Sequence, residues 1–330
     1  MKSNSPAIVE ITRGSFVESS HAIDIVVSDA EGALPYIWGE EDRMIFPRSS
    51  IKSLQALPLV ESGAADAFGF DDADLALACS SHNAEAMHVE RAANMLQKAG
   101  NGPVCLECGA QMPRMRKDRL ALENGPKPIH NPCSGKHAGF LAFARQAGFS
   151  PEGYTKIDHP VQKEIASVLE TVTGHPHKPD NHGIDGCSIP SYWMPLDKLA
   201  TAYAKFAVGH DVSKSRAAAM NRIRSSCIEH PEMIAGTKRS CTRLMQALGN
   251  RAFAKFGAEG VYTIALPELG LGIAMKARDG GVRAIEVAAA NTISYLLELT
   301  PEEKSKMNSL IQPLVVDRRG EQVGTMRLQL

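Results

Sequence analysis

The sequence predicts an α+β fold in which strands from both chain ends share one antiparallel sheet packed with helices. Three observations lead there. Alternating apolar and polar residues mark strands near each terminus, helical spacing dominates the middle, and no linker interrupts the chain. Residues 1–330 are therefore expected to form a single domain.

In chain order, Ala7 to Thr12 and Ala22 to Val27 alternate as strands, the second closing at the turn Ser28 to Gly32. Phe46-Pro-Arg-Ser-Ser50 then leads into Ile51, Leu54 and Leu57 at helical spacing, with Pro58 expected to kink or end that helix early. Helices follow over Asp71 to Cys79 and Ala84 to Ala99, the second capped at Gly100. Two stretches read as irregular, Asn101 to Asn131 and Thr173 to Pro190, because Pro, Gly and polar residues break every period. Ser134 to Gln146, Val161 to Val172, Leu196 to Phe206, Ala217 to Cys227 and Thr242 to Ala252 are predicted helices. Val261 to Leu266 and Leu271 to Ala277 are predicted strands. Asp279-Gly-Gly281 then turns the chain toward Val282 to Leu299, read as a strand running into a long helix.

Composition narrows the function. Lys+Arg 36 against Asp+Glu 37 leaves a net charge of −1, which provides no basic face for nucleic acid or an anionic membrane. No apolar run approaches the roughly 18 residues a span requires. The opening Met1-Lys-Ser-Asn-Ser-Pro6 lacks the apolar core of a secretory signal, so a cytoplasmic protein is expected. Seven cysteines, an odd number, then read as core residues, metal ligands or nucleophiles rather than as disulfides.

Chemistry concentrates at three patterns. Ser49-Ser-Ile-Lys52 places a hydroxyl and an amine one helical turn apart, where a neutral lysine can take the serine proton. Ser81-His-Asn83 and Lys255-Phe-Gly257 follow in the chain, the latter just before the C-terminal strands. The serine β-lactamase and penicillin-binding group carries S-x-x-K, S-D-N and K-T-G in this order, here with His82 and Phe256 as departures. Lys255 to Gly260 also has the Lys-x-Gly-x-x-Gly shape of serine-dependent glutaminases. Separately, Cys133 and His137 stand four apart on a predicted helix, with Asp185 and Cys187 on a later loop. A soft divalent ion such as zinc suits such donors, and spacing alone favours His137 over Lys136 as the nitrogen ligand.

Taken together, the chain resembles the Rhizobium etli-type (class 3) L-asparaginases over nearly its whole length. The likeness is carried by Pro47 to Lys52, Ala78 to Asn83 with Glu85, Asn131 to His137, Gly183 to Cys187 and Lys255 to Val261. It implies a β-lactamase-like fold, a homodimer, and hydrolysis of L-asparagine to L-aspartate and ammonia. It further implies two catalytic Ser-Lys pairs, Ser49 with Lys52 and Ser81 with Lys255, and a zinc site of Cys133, Lys136 and Cys187.

Physical reasoning adds roles. Two lysines near one serine repel as cations, so one should be neutral, and Lys52 is expected to be the base for Ser49. The N–H of Ser49 and one from the strand after Lys255 are expected to hold the oxyanion. Arg48 is the neighbour for a substrate α-carboxylate and Asp185 for its α-ammonium, with Asn83 and His137 as further substrate-binding candidates. Because Ser-Lys activation needs no metal hydroxide, zinc is expected to shape the pocket rather than to generate a nucleophile. The rival readings are a glutaminase or other Ser-Lys amidohydrolase, a Cys133 nucleophile with His137 as base, and a non-enzymatic zinc-binding module.

Overall fold

A computed structural model describes residues 1–330. The sheet is built from β1 (Ala7–Arg13), β2 (Phe16–Ser28), β3 (Tyr36–Trp38), β4 (Phe253–Gly257), β5 (Val261–Leu266), β6 (Leu271–Ala277), β7 (Leu314–Val316) and β8 (Gln322–Gln329). Its main path runs β7-β8-β1-β2-β6-β5-β4 with every neighbouring pair antiparallel, and β3 adds to β2. Only the two-residue strand Lys2–Ser3 is parallel to its partner, β3. The two chain ends thus share one sheet, as the sequence predicts. No helix is long and apolar enough to cross a membrane.

Strand β5 is buried along its whole length, so both faces of the central sheet are covered. Leu196–Val208 and Val282–Leu296 pack against its central strands, and Ser240–Leu248 packs against β4. A cluster of 91 buried apolar residues runs without a break from this sheet into the helical part, so the two share one core. Gly272 shows how close the layers are. A Cβ there would collide with the backbone of Ala200, Tyr203 and Ala204, so only glycine lets this helix lie on β6.

The expectation at Pro58 holds, and three other details differ. The helix Lys52–Gln55 stops at Ala56, just before Pro58, and Pro58 sits in the first turn of a separate helix, Leu57–Glu61, where its missing N–H is harmless. Val282 begins a helix directly, with no preceding strand, because Gly281 and the turn before it lead straight into helical backbone. The hairpin β7–β8 was not anticipated; its residues are half exposed, so burial leaves little alternation to read. Helix Ala86–Lys98 starts two residues later than expected, since Ala84 sits at φ +59° and Glu85 is extended.

Replacing Gly272 by alanine is expected to destabilise the protein by about 1–3 kcal/mol or more, through overpacking against backbone that cannot rotate away. Urea unfolding checks this: the midpoint should fall at constant slope. An unchanged midpoint would show that the two layers can separate freely.

Candidate active site

The site begins at the tight turn Arg48–Ile51. Arg48 adopts φ +53°, left-handed backbone that costs a non-glycine residue about 1–3 kcal/mol and persists only where its surroundings enforce it. Here they do. Ser50 Oγ donates to Pro47 O at 2.7 Å, and Ser50 O accepts from Thr263 Oγ1 at 3.1 Å and from the Tyr203 hydroxyl. Strand β4 presses on the same turn, since a Cβ on Gly257 would lie 2.8 Å from Pro47 O and 2.9 Å from Ser50 N. The glycine of Lys255-Phe-Gly257 is therefore required by this close approach.

The two lysines meet on a serine, though not the expected one. Lys52 Nζ donates to Ser81 Oγ at 2.9 Å, Ser80 O at 2.5 Å and Cys133 Sγ at 3.1 Å. Lys255 Nζ reaches the same Ser81 Oγ at 3.4 Å and Phe256 O at 3.0 Å. Both lysines are only 1% exposed. Burial first, and then the charge of Lys52, lower the Lys255 pKa from 10.5 to about 7. The amine shifted toward neutrality is thus Lys255, where Lys52 was expected. Sequence spacing cannot distinguish them, because the difference comes from packing.

Ser49 and Ser81 both line a cleft of about 490 Å³. Their backbones differ in a way that bears on their roles. Ser81 N–H donates to Ile234 O at 2.8 Å, whereas the N–H groups of Ser49 and Ala258, both on the cleft, have no backbone acceptor. Two residues with unpartnered N–H groups thus line one cleft, and such donors are the kind that hold an oxyanion. Two roomier hollows elsewhere, about 640 and 720 Å³, contain none of these groups.

Asp185 and Cys187 sit in the turn of a ribbon that pairs His182–Ile184 with Pro190–Tyr192. Lys136 Nζ donates to Cys187 Sγ at 3.0 Å. A hydrogen bond from Cys187, aided by the Lys52 and Lys136 charges, pushes the Cys133 thiol well below its ordinary value despite burial, while Cys187 is pushed up. No three His, Cys, Asp or Glu side chains cluster closely enough to share a metal, so any ion here depends on the Lys136 amine. The donor set fits zinc in kind: two thiols, one already biased to thiolate, converge with one amine at the cleft wall. The Lys136 proton must leave first, because burial is outweighed by Cys187, Cys133 and Asp185 and its pKa is raised.

The remaining predicted residues are divided. Arg48 Nε donates to Asp185 Oδ1 at 3.0 Å, so these two neutralise one another. Asp185 stays ionised: burial opposes its charge, but Lys136, Arg48 and Lys52 outweigh it. Asn83 and His137 do not line the cleft. Asn83 is buried, donating to Glu85 Oε1 and Thr237 O. His137 is fully buried with Nδ1 2.7 Å from the Tyr154 hydroxyl, and burial holds its pKa well below normal. Arg114 and Arg239, which the sequence reading passed over, do line the cleft. One lies in the stretch read as irregular and the other follows a glycine turn, so neither belongs to a motif.

The family model described as L-asparaginase II matches residues 9–328. No curated protein sequence matches this chain. Among solved structures, a β-lactamase from Mycobacterium bovis is 13% identical with a TM-score of 0.41, covering 83% of this chain and 94% of that one. A class C β-lactamase mutant is 14% identical with a TM-score of 0.42, covering 83% and 92%.

An amine buried at a pKa of about 7 is a burden on folding. Below pH 7 the folded state must hold the Lys255 charge out of water; between 7 and 10.5 the unfolded chain binds the extra proton, so stability rises with pH. Lys255→Met is therefore expected to stabilise the protein by about 1–4 kcal/mol at pH 6, with the gain shrinking as pH rises toward 10. Urea unfolding of both proteins at several pH values measures it, and a destabilised variant, or a gain that grows with pH, would contradict the assignment.

Proposed function

The chain belongs to the L-asparaginase II family, and from that premise we propose that it hydrolyses L-asparagine to L-aspartate and ammonia through an acyl-enzyme on Ser49. The observation that carries the reading is the Ser81 hydroxyl held between two buried lysine amines, one of them shifted toward neutrality, at a cleft shared with Ser49.

In this mechanism Ser49 Oγ attacks the side-chain amide carbon, and its proton passes by way of Ser81 Oγ to the neutral Lys255 amine. The tetrahedral oxyanion is held by the N–H groups of Ser49 and Ala258. Ser49 is preferred to Ser81 as nucleophile because its own N–H is free to serve that oxyanion, while that of Ser81 is already bonded to Ile234 O. As the tetrahedral intermediate collapses, the proton returns through Ser81 to the departing ammonia. Water then attacks the ester, giving its proton to the same relay, and Ser49 leaves as the alcohol. Asp185 receives the substrate α-ammonium.

Cys133, Lys136 and Cys187 are the residues that would hold zinc. When bound, the ion supplies a fixed positive charge and a tie between the Asp185 turn and the helix Ser134–Gln146. The proposal also includes a cytoplasmic setting, in keeping with seven free thiols. It includes assembly as a homodimer, which light scattering of the purified chain reads.

Ammonia release from L-asparagine, with L-glutamine in parallel, tests the substrate. Ser49→Ala should abolish turnover while leaving the fold intact, since the Ser49 hydroxyl caps no helix and holds no other part of the chain. Protein quenched in acid during turnover should carry an aspartyl adduct on the peptide containing Ser49. An adduct on Ser81 or Cys133, or substantial turnover by folded Ser49→Ala, would overturn the assignment. Chelation should raise KM more than it lowers kcat, as expected when mainly uniform binding is lost. Loss of kcat at unchanged KM would make the metal a participant in the chemistry.

A further inference from the structure

Four arginines but a single carboxylate, Asp185, line the cleft. Arg48 is paired with that carboxylate, so its charge is already met. Arg114 and Arg239 are not matched in this way. They lie close enough that the charge of Arg239 is the main influence disfavouring the charge of Arg114. The Glu286 carboxylate favours the Arg114 charge but forms an ion pair with neither arginine, accepting instead from Ser240 Oγ at 2.8 Å, so the two like charges make a place for an anion.

The pair is built in place. Arg239 lies over the Phe256 ring at 5.6 Å and donates to Asn83 Oδ1 at 3.3 Å. The backbone N–H of Arg114 donates to Asn83 O at 3.0 Å, so one buried residue anchors both segments. Asn83 is fixed in turn by Glu85, which also accepts from Thr237 N at 2.8 Å and Thr237 Oγ1 at 2.7 Å. Gly236 lets that loop approach at φ +104°, where a Cβ would lie 2.6 Å from both Asn83 Nδ2 and Glu85 Oε1. Phe256 and Ala258 flank Gly257 on the segment that also carries Lys255, so Arg239 is seated beside the oxyanion donor.

We propose that Arg114 and Arg239 form the subsite for the substrate's α-carboxylate, that Arg48 is a positioning residue which orients Asp185, and that the enzyme therefore requires an amide carrying a free α-carboxylate. The inference rests on the amidohydrolase reading above. It moves the carboxylate away from Arg48, which the sequence favoured, and gives Asn83 the indirect role of aligning the arginine pair. The zwitterionic end of asparagine is then met at two poles, ammonium at Asp185 and carboxylate at the pair, which leaves the side-chain amide for Ser49. Asparagine within a peptide lacks that carboxylate and is excluded.

The test compares L-asparagine with its α-methyl ester in the wild type, Arg114→Gln, Arg239→Gln and Arg48→Gln, with urea midpoints to verify folding. The wild type should favour the free acid by about tenfold or more in kcat/KM. In Arg239→Gln and Arg114→Gln that preference should collapse toward unity, mainly through a higher KM for asparagine. A change that only loosened the fold would affect acid and ester alike. If both variants keep the wild-type preference, or if Arg48→Gln alone removes it, the carboxylate sits elsewhere and the proposal is wrong. Should the wild type hydrolyse no amide, the asparaginase reading has failed on its own. Calorimetric titration with L-aspartate then still reads the subsite: affinity reduced about tenfold in Arg239→Gln supports it, and unchanged affinity overturns it.

Discussion

The structure depends on a single hydroxyl held between two buried amines. Ser81 Oγ lies 2.9 Å from Lys52 Nζ and 3.4 Å from Lys255 Nζ, with both lysines almost wholly out of water. Two ammonium groups at that spacing in a low-dielectric interior repel strongly, so the site favours one charged and one neutral amine. A neutral amine beside a hydroxyl is a base at neutral pH, and this is the property the proposed chemistry draws on. The Cys133 thiol, its pKa held well below the ordinary value, accepts from Lys52 Nζ at 3.1 Å beside this pair.

The fold explains how three distant segments are held to that tolerance. Lys52 comes from the turn after Pro47, Ser81 from the segment after the helix Asp72–Ala78, and Lys255 from strand β4. Gly257 brings the strand against the turn, and Thr263 and Tyr203 fix the carbonyl of Ser50. The strained backbone at Arg48 survives within this frame and aims Ser49 at the cleft. Stability is given up for function here, as buried lysines and strained backbone both show.

Much of this was legible in the sequence, for identifiable reasons. Strands β5 and β6 keep their predicted bounds because largely apolar runs and the Gly-marked turn between them delimit them. Ser49, Ser81, Lys52 and Lys255 were found because their spacing within short motifs is itself chemical information. The shift of Lys255 toward neutrality was not legible, since it follows from burial and from the Lys52 charge acting on it. Arg114 and Arg239 were invisible for a similar reason: they meet only through Asn83, across more than 100 residues of chain. His137 illustrates the opposite failure, for its spacing suggested a ligand while packing turned it into the core toward Tyr154.

The most direct measurement of the central claim is the protonation of Lys255 itself. Labelled at Cε and followed by NMR through a pH titration, its resonance can be assigned by its loss in Lys255→Met. The expected result is a midpoint near 7. A Lys255 midpoint near 10.5 would mean that this amine stays charged beside Ser81, and the base of the proposed chemistry would be lost.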